Sequence, residues 1–151
     1  MQGFLGEIDT RYHNRIVLHD HYELIHEFNL KGLHFNRRNE SGTYEFHSAS
    51  MHSFEEIENT GKDYEYVFLS PIFDSISKEG YKAKFTNEDL LSFLAMEHET
   101  KIIALGGIEL SNMDHCFNIG FDGVALLGSI WNANDPVKAI NAILENAKAT
   151  R

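Results

Sequence analysis

The sequence predicts an α/β fold of the TIM-barrel type, built from about six parallel βα units in a single domain that spans residues 1–151. Short apolar runs alternate with helix-like stretches along the whole chain, and this alternation is typical of right-handed βαβ units around a parallel sheet. Two closures fit the pattern, an open doubly wound sheet and a βα barrel. Each unit takes about 25 residues, as in a compact barrel of eight units and ~200 residues, so the spacing favours a barrel that is two units short.

Six short apolar runs are predicted to be the strands. In chain order they lie at 16–18, 32–35, 47–51, 66–69, 101–105 and 123–127. The segments between them show helical character, most clearly at 22–29, 53–58, 87–97 and 137–147. Ser53 and Glu56 have the spacing of a capping box, and Ser111 is expected to cap a further helix that stops at Gly120. The last helix begins near Pro136. Its apolar stripe consists of Val137, Ile140, Ile143 and Leu144.

Composition and charge limit the classes of function. Hydrophobic residues make up 42% of the chain and charged residues 24%, as in an ordinary globular protein. A formal net charge of −10 without any Lys/Arg run argues against a nucleic-acid-binding surface. Cys116 is the only cysteine, so the chain forms neither an internal disulfide nor a thiolate metal site. No apolar run approaches the ~20 residues that span a bilayer, and the N-terminus lacks a signal-peptide layout, so the expected location is the cytoplasm, away from membranes.

Polar side chains and glycines concentrate after the predicted strands, where the carboxyl ends of parallel strands place ligands. They are His19, Asp20 and His21, then His34 and residues 36–39, then Ser50, His52 and Ser53, then Ser70, Ser75, Ser77 and Lys78, then Gly106 and Gly107, and finally Gly128 and Ser129. Two hydroxyls and an ammonium group suit an anion such as phosphate, and Ser75, Ser77 and Lys78 provide them. In an acidic chain the cations must be local, as Arg37, Arg38 and Lys78 would be. A polar loop without a ligand is the alternative.

Two glycine-containing turns predict a second part of the same phosphate site. Gly106 and Gly107 follow the fifth predicted strand, and Gly128 and Ser129 follow the sixth. Glycines let backbone amides approach a ligand closely, and phosphate commonly binds after the last two strands of such barrels. The alternative is a pair of tight turns with no ligand.

Histidines and one aspartate allow two kinds of metal site. His19 and His21 would share a face of an extended strand, and with His34 and His52 they would suit a barrel-type zinc hydrolase. A chain with nine histidines also places some of them near a cleft by chance. Asp20 would suit Mg²⁺, which prefers oxygen ligands and bridges diphosphates, although it is equally consistent with a plain surface aspartate.

Taken in order, these segments resemble the thiamine phosphate synthase/TenI family. The matching segments are HDHYEL, GLHFNRRN, SMHSFEE, YVFLSPIFDSISK, IIALGGI and GFDGVALLGSIW, and together they span about residues 16–131. SPIFDSISK and LGGIELSN are the most specific of the matching segments. The resemblance implies a βα barrel of thiamine biosynthesis that binds a thiazole phosphate and an aminopyrimidine diphosphate. In the synthase reaction, Mg²⁺-bound pyrophosphate leaves the pyrimidine, and the thiazole nitrogen captures the resulting carbocation.

The resemblance also implies roles for individual residues. Ser75, Ser77 and Lys78 match the family motif in which hydroxyls bind the substrates and the lysine neutralises the departing pyrophosphate. Gly107, with the backbone near Gly128 and Ser129, resembles the thiazole-phosphate cradle. Two further residues match single positions of the family. Ser50 matches a position near pyrophosphate, and Asp20 matches a magnesium aspartate.

Several departures from the family pattern bear on these roles. Asn39 stands where the second magnesium carboxylate is expected, and His19 and His21 replace the asparagine and arginine that flank the first. Family members carry two further βα units ahead of the part that matches this chain, and residues 1–12 look like the end of a helix leading into the family's third strand. The resemblance therefore predicts an N-terminally shortened barrel.

The same family includes TenI-type thiazole tautomerases, which shift protons on a thiazole carboxylate phosphate and need no pyrophosphate. They use a histidine at the position of His52 as the acid/base, and imidazole titrates near neutral pH. A non-catalytic phosphate-ligand-binding remnant is a third interpretation. Because a shortened barrel leaves both sheet edges unpaired, we also expect a homodimer through those edges or a chain that is poorly stable alone. A monodisperse monomer with cooperative melting would contradict that expectation.

Overall fold

The structure is a computed structural model, and it describes residues 1–36, 45–74 and 82–149. Its centre is a sheet of six parallel strands that follow one another in chain order and curl into a half-barrel. The strands are β1 (Val17–Leu18), β2 (Gly32–Phe35), β3 (His47–Met51), β4 (Tyr66–Leu69), β5 (Lys101–Leu105) and β6 (Gly123–Ala125). A doubly wound sheet reverses its strand order at a switch point, so this sequential order confirms the barrel-type prediction.

The α-helices connect the strands and cover one face of the sheet. They are α1 (Gln2–Glu7), α2 (Leu24–Phe28), α3 (Phe54–Thr60), α4 (Asn87–Leu94), α5 (Met113–Asn118), α6 (Gly128–Trp131) and α7 (Pro136–Ala149). Two 3₁₀ segments, Thr10–Arg15 and Gly61–Asp63, precede β1 and β4. Within the described ranges, no helix is both long and apolar enough to cross a bilayer.

The helix starts test the capping predictions. Ser53 is the N-cap of α3, and its hydroxyl accepts the N–H of Glu56 at 3.2 Å, as in a capping box. The Glu56 carboxylate accepts the N–H of His52 instead of that of Ser53, so only the serine half of the predicted box forms. The Ser111 cap is wrong, because α5 has Asn112 as its N-cap and the Ser111 hydroxyl donates to the Glu109 carboxylate instead. The sixth predicted strand is also too long. It ends at Ala125, and Leu127 is already the N-cap of α6.

The two faces of the sheet differ in chemistry because alternate residues of a strand point to opposite sides. The face that packs against the helices is apolar and fully buried. Its residues are Leu18, Leu33, Phe35, Ala49, Met51, Val67, Leu69, Ile102 and Ala104. The strand register aligns a second set of residues on the opposite face, which we call the inner face. It includes His34, Ser48, Ser50, Phe68, Ile103 and Leu105.

The apolar stripe predicted for the last helix is only partly buried. Of its predicted stripe only Ile143 is buried, whereas Val137, Ile140 and Leu144 are exposed. The reason is its position, because α7 packs against α6 beside β6, which is an outer strand of the described sheet. The homodimer expected through these edges stays a prediction.

Candidate functional site

A buried histidine links two strands on the inner face. His34 of β2 lies between the two serines of β3, with Nδ1 at 2.8 Å from the Ser48 hydroxyl and Nε2 at 2.8 Å from the Ser50 hydroxyl. His34 and Ser48 are 1% and 0% exposed, whereas Ser50 is half-buried nearer the carboxyl end of the strand. The two bonds fix the imidazole and connect the interior of the sheet to the predicted ligand side.

Aromatic rings shield this histidine. The His19 ring stacks on His34 with centroids 4.1 Å apart, and the Phe68 ring packs against it at 4.8 Å. Burial, with a smaller contribution from nearby His19, lowers the pKa of His34 to about 3. Burial also lowers the pKa of His19. His34 is therefore a neutral imidazole throughout the ordinary pH range.

The His52 imidazole, just after β3, is oriented by Ser70. Its Nδ1 lies 3.0 Å from the Ser70 carbonyl oxygen and 3.3 Å from the Ser70 hydroxyl oxygen. Because a carbonyl only accepts, the shorter contact favours the neutral tautomer with its proton on Nδ1. Nε2 then keeps a lone pair, which is what a general base needs. The backbone on either side is fixed as well, because the His52 N–H donates to Glu56 and its carbonyl accepts from the Lys84 ammonium group.

The Gly106–Gly107 turn is shaped by the segment that follows β4. Both glycines have positive φ, 97° and 65°. A Cβ on Gly107 would lie 2.3 Å from the Asp74 carbonyl oxygen, so only glycine fits there. The contact is kept close by the Phe73 N–H, which donates to the Gly106 carbonyl at 3.0 Å. Packing alone therefore explains these glycines, and their phosphate role stays a prediction.

The neighbouring turn contains an unpaired hydroxyl. Ser129 follows Gly128 at the start of α6, and β6 pairs directly with β5, so this turn lies beside the one at Gly106 and Gly107. The Ser129 Oγ is buried and has no hydrogen-bond partner in the structure, the only side-chain atom of this kind among the described residues. A buried unpaired hydroxyl is costly, so an oxygen atom of a water molecule or of a ligand at this position would stabilise it.

Of the two positions discussed for Mg²⁺, Asp20 and Asn39, the structure describes Asp20. Asp20 is exposed, and its Oδ1 accepts the His21 N–H at 2.8 Å. A single carboxylate fits Mg²⁺ only where substrate phosphates and water supply the other oxygens. Asp20 is therefore compatible with a diphosphate-bound Mg²⁺ and offers no protein-built cage.

The histidine metal site does not form in the described part of the chain, which holds no group of three or more His, Cys, Asp or Glu suited to a metal. The reason is local geometry. β1 ends at Leu18, so His19 and His21 do not share a strand face. His21 has a positive φ and points its Nδ1 toward Glu23, while His19 stacks on His34.

Other predicted residues lie outside the described ranges. They are Arg37, Arg38, Asn39, Ser75, Ser77 and Lys78. Their roles as anion ligands and as the substituted magnesium position stay predictions.

Sequence reasoning missed the pairing of His34 with Ser48 and Ser50. The available signal was the alternation of serines at positions 48 and 50 in a strand, which puts both hydroxyls on one face. It also missed Lys84, whose ammonium group reaches the His52 carbonyl across a separation of 32 residues. No local pattern could have shown that contact.

Comparisons with known proteins relate the chain to thiamine-phosphate synthases. The thiamine-phosphate synthase of Prochlorococcus marinus is 26% identical over 95% of this chain and 44% of that protein. The thiamine-phosphate synthase of Streptococcus suis is 22% identical over 92% of this chain and 64% of its own length. The chain thus spans about half to two thirds of these relatives.

Solved structures extend the likeness. The thiamine phosphate pyrophosphorylase of Bacteroides thetaiotaomicron superposes with a TM-score of 0.84 at 32% identity, covering 99% of this chain and 78% of that one. The enzyme of the same name from Pyrococcus furiosus, at 17% identity and a TM-score of 0.68, shares the fold. The model of the family described as thiamine monophosphate synthase matches residues 5–130, most of the sequence. This chain belongs to the thiamine monophosphate synthase family.

Proposed function

We propose that the chain binds a thiazole phosphate at the carboxyl ends of its strands and takes part in joining it to an aminopyrimidine diphosphate. The observation that carries this proposal is the buried, unpaired Ser129 hydroxyl beside the Gly106–Gly107 turn. A phosphate oxygen would give that hydroxyl its missing acceptor. Family membership suggests the substrate class, and the turn is where we expect its phosphate to bind.

The diphosphate would lie toward the other strands. Ser50 offers a hydroxyl at the end of β3, and the resemblance adds Ser75, Ser77 and Lys78 after β4. Asp20 would hold Mg²⁺ there, and the metal would supply neutralising charge to the leaving pyrophosphate. The chain's own contribution is then to orient both phosphates, so that the pyrimidine carbon and the thiazole nitrogen approach each other.

Calorimetry with thiazole phosphate tests the binding step. We expect the wild-type chain to bind it and Ser129→Ala to bind it about tenfold more weakly, because one hydrogen bond to a charged group is lost. Ser92→Ala is the matched control, since Ser92 is an exposed serine on α4. Equal affinity of wild type and Ser129→Ala for thiazole phosphate would contradict the proposed phosphate site. A separate assay, release of pyrophosphate from the two substrates with Mg²⁺, tests the coupling step.

A second candidate, a thiazole tautomerase, is favoured by one specific contact. The Ser70 carbonyl holds the proton of His52 on Nδ1 and leaves the Nε2 lone pair available. A neutral imidazole in that form takes a proton from carbon acidified by a neighbouring group and returns it elsewhere, without metal. Nothing in that step uses Asp20 or Asn39.

Deuterium exchange into thiazole carboxylate phosphate without metal separates the two candidates. A tautomerase exchanges deuterium and loses that activity by about 10²-fold or more in His52→Gln. His98→Gln is the matched control, because His98 also bonds a backbone carbonyl, that of Phe93, before β5. Exchange that persists in His52→Gln would exclude this role. Binding without either reaction would leave a non-catalytic binder.

A further inference from the structure

The polarity of the hydrogen bonds around His34 can be worked out from burial. A neutral imidazole has one N–H donor and one acceptor nitrogen, so its two serine partners must play opposite parts. Either Nδ1–H donates to Ser48 and the Ser50 hydroxyl donates to Nε2, or Nε2–H donates to Ser50 and the Ser48 hydroxyl donates to Nδ1. Rotating the ring by half a turn would present carbon atoms to both hydroxyls, so the ring orientation is fixed.

Ser48 decides between the two arrangements. It is 0% exposed, and among the described residues its hydroxyl bonds only to His34. If Nδ1 carried the proton, the Ser48 oxygen would accept it and the hydroxyl's own proton would be left buried without an acceptor. If Nε2 carries the proton, the Ser48 hydroxyl donates to Nδ1, and this buried donor has an acceptor. Burial of Ser48 therefore favours the Nε2–H tautomer.

The chosen tautomer determines what Ser50 can offer a ligand. Its oxygen accepts from Nε2–H, so its own proton is free to point elsewhere. Ser50 is half-buried at the carboxyl end of β3, where the proposed substrates bind. In the opposite tautomer the Ser50 proton would be engaged by Nε2, and only lone pairs would face an anion.

We propose that Ser48 and His34 together hold the Ser50 hydroxyl as a hydrogen-bond donor toward an anionic oxygen of a phosphorylated substrate. His34 is then a positioning residue, since it acts through Ser50 and does not touch the substrate. The inference rests on the proposed function, because that function places a phosphorylated substrate at Ser50. Substrate binding is expected to leave the protonation of His34 unchanged, since the imidazole carries one N–H before and after.

Nitrogen NMR of the ¹⁵N-histidine-labelled chain reads the tautomer directly. In the ligand-free protein we expect His34 to show a protonated Nε2 and an unprotonated Nδ1, with His34→Gln used to assign the signals. A dominant Nδ1–H form would overturn the proposal, because Ser50 would then be unable to donate. This measurement needs no ligand, and it reads the tautomer whether or not His34 also contributes to stability.

Titration with inorganic pyrophosphate tests the consequence. We expect Ser50→Ala and His34→Leu each to weaken binding about tenfold, whereas His34→Gln, which keeps an N–H near Ser50, should recover most of the affinity. His98→Leu controls for loss of a half-buried histidine. Equal binding by Ser50→Ala and wild type, or by His34→Leu and His34→Gln, would overturn the proposal. A wild-type chain that binds no pyrophosphate would instead count against the proposed function, while the tautomer still decides the state of Ser50.

Discussion

Two parts of the same sheet edge differ in how their polar groups are paired. One part is formed by the carboxyl ends of β2 and β3, and the other by the carboxyl ends of β5 and β6. At the first, buried polar groups are paired with each other, as His34 is with Ser48 and Ser50. At the second, the backbone is shaped by two glycines with positive φ, and the Ser129 hydroxyl has no partner in the structure.

The difference separates two ways of preparing a binding site. A paired cluster is complete without a ligand, so altering it should reduce stability. An unpaired hydroxyl costs stability until a ligand binds, so altering it should reduce binding and leave stability unchanged. Removing the paired hydroxyl of Ser48 and removing the unpaired hydroxyl of Ser129 should therefore have opposite signatures.

The largest effect is expected at the turn itself. Gly107→Ala would place a Cβ 2.3 Å from the Asp74 carbonyl oxygen at a φ of 65°. We expect the free energy of unfolding to fall by about 2–4 kcal/mol, from backbone strain and the displaced 71–74 segment. Urea unfolding measures it, with Gly6→Ala as the control because nothing lies within 4 Å of a Cβ there. Equal midpoints for Gly107→Ala and wild type would show that the turn is not held by this contact.

The paired cluster should make stability depend on pH. The pKa of His34 is lowered from 6.5 to about 3 by burial, so between these values the unfolded chain binds a proton that the folded chain does not. The contribution of His34 to the free energy of unfolding is therefore constant well above pH 6.5 and falls below it, at about 1.4 kcal/mol per pH unit. Wild type should lose about 2 kcal/mol more than His34→Gln between pH 6.5 and 5. Parallel curves for the two proteins would mean that burial does not lower the pKa of His34 in the folded chain.

Sequence patterns predicted the regular parts of this molecule and failed where distant segments meet. The six strands follow from local apolar runs, and the Ser53 cap follows from four consecutive residues. The Ser111 prediction failed because α5 begins one residue later, with Asn112 as its N-cap, and the Ser111 hydroxyl donates to the Glu109 carboxylate.

The candidate site was predictable only in its outline. Parallel strands bring their carboxyl ends together whatever the side chains are, so Ser50, His52, Gly107 and Ser129 could be placed on one edge from sequence. The pairing of residues 34 and 48 depends on strand register, and the left-handed turn at Gly107 is set by Asp74 from another loop. Neither is encoded in a local motif.

Within the cluster, Ser48→Ala should have a moderate effect. It removes the partner of His34 Nδ1 at a fully buried position, and we expect a loss of about 1–2 kcal/mol in the free energy of unfolding. Ser92→Ala, on the exposed surface of α4, should change it by less than about 0.5 kcal/mol. Equal stability of the two variants would mean that another group takes the place of the lost hydroxyl.

Ser129→Ala should have the smallest effect on stability and so gives the sharpest contrast with Ser48→Ala. Both substitutions remove a buried serine hydroxyl, but only the one at position 48 has a partner to lose. We expect Ser129→Ala to leave the free energy of unfolding within about 0.5 kcal/mol of wild type or to raise it slightly, because a buried unpaired hydroxyl is removed. Thiazole phosphate should then raise the melting temperature of wild type and of Ser48→Ala by more than that of Ser129→Ala, since stabilisation by a ligand follows its affinity. If Ser129→Ala is as destabilised as Ser48→Ala, the Ser129 hydroxyl has a partner within the protein. Both parts of the sheet edge would then contain paired buried hydroxyls, and the contrast between them would be lost.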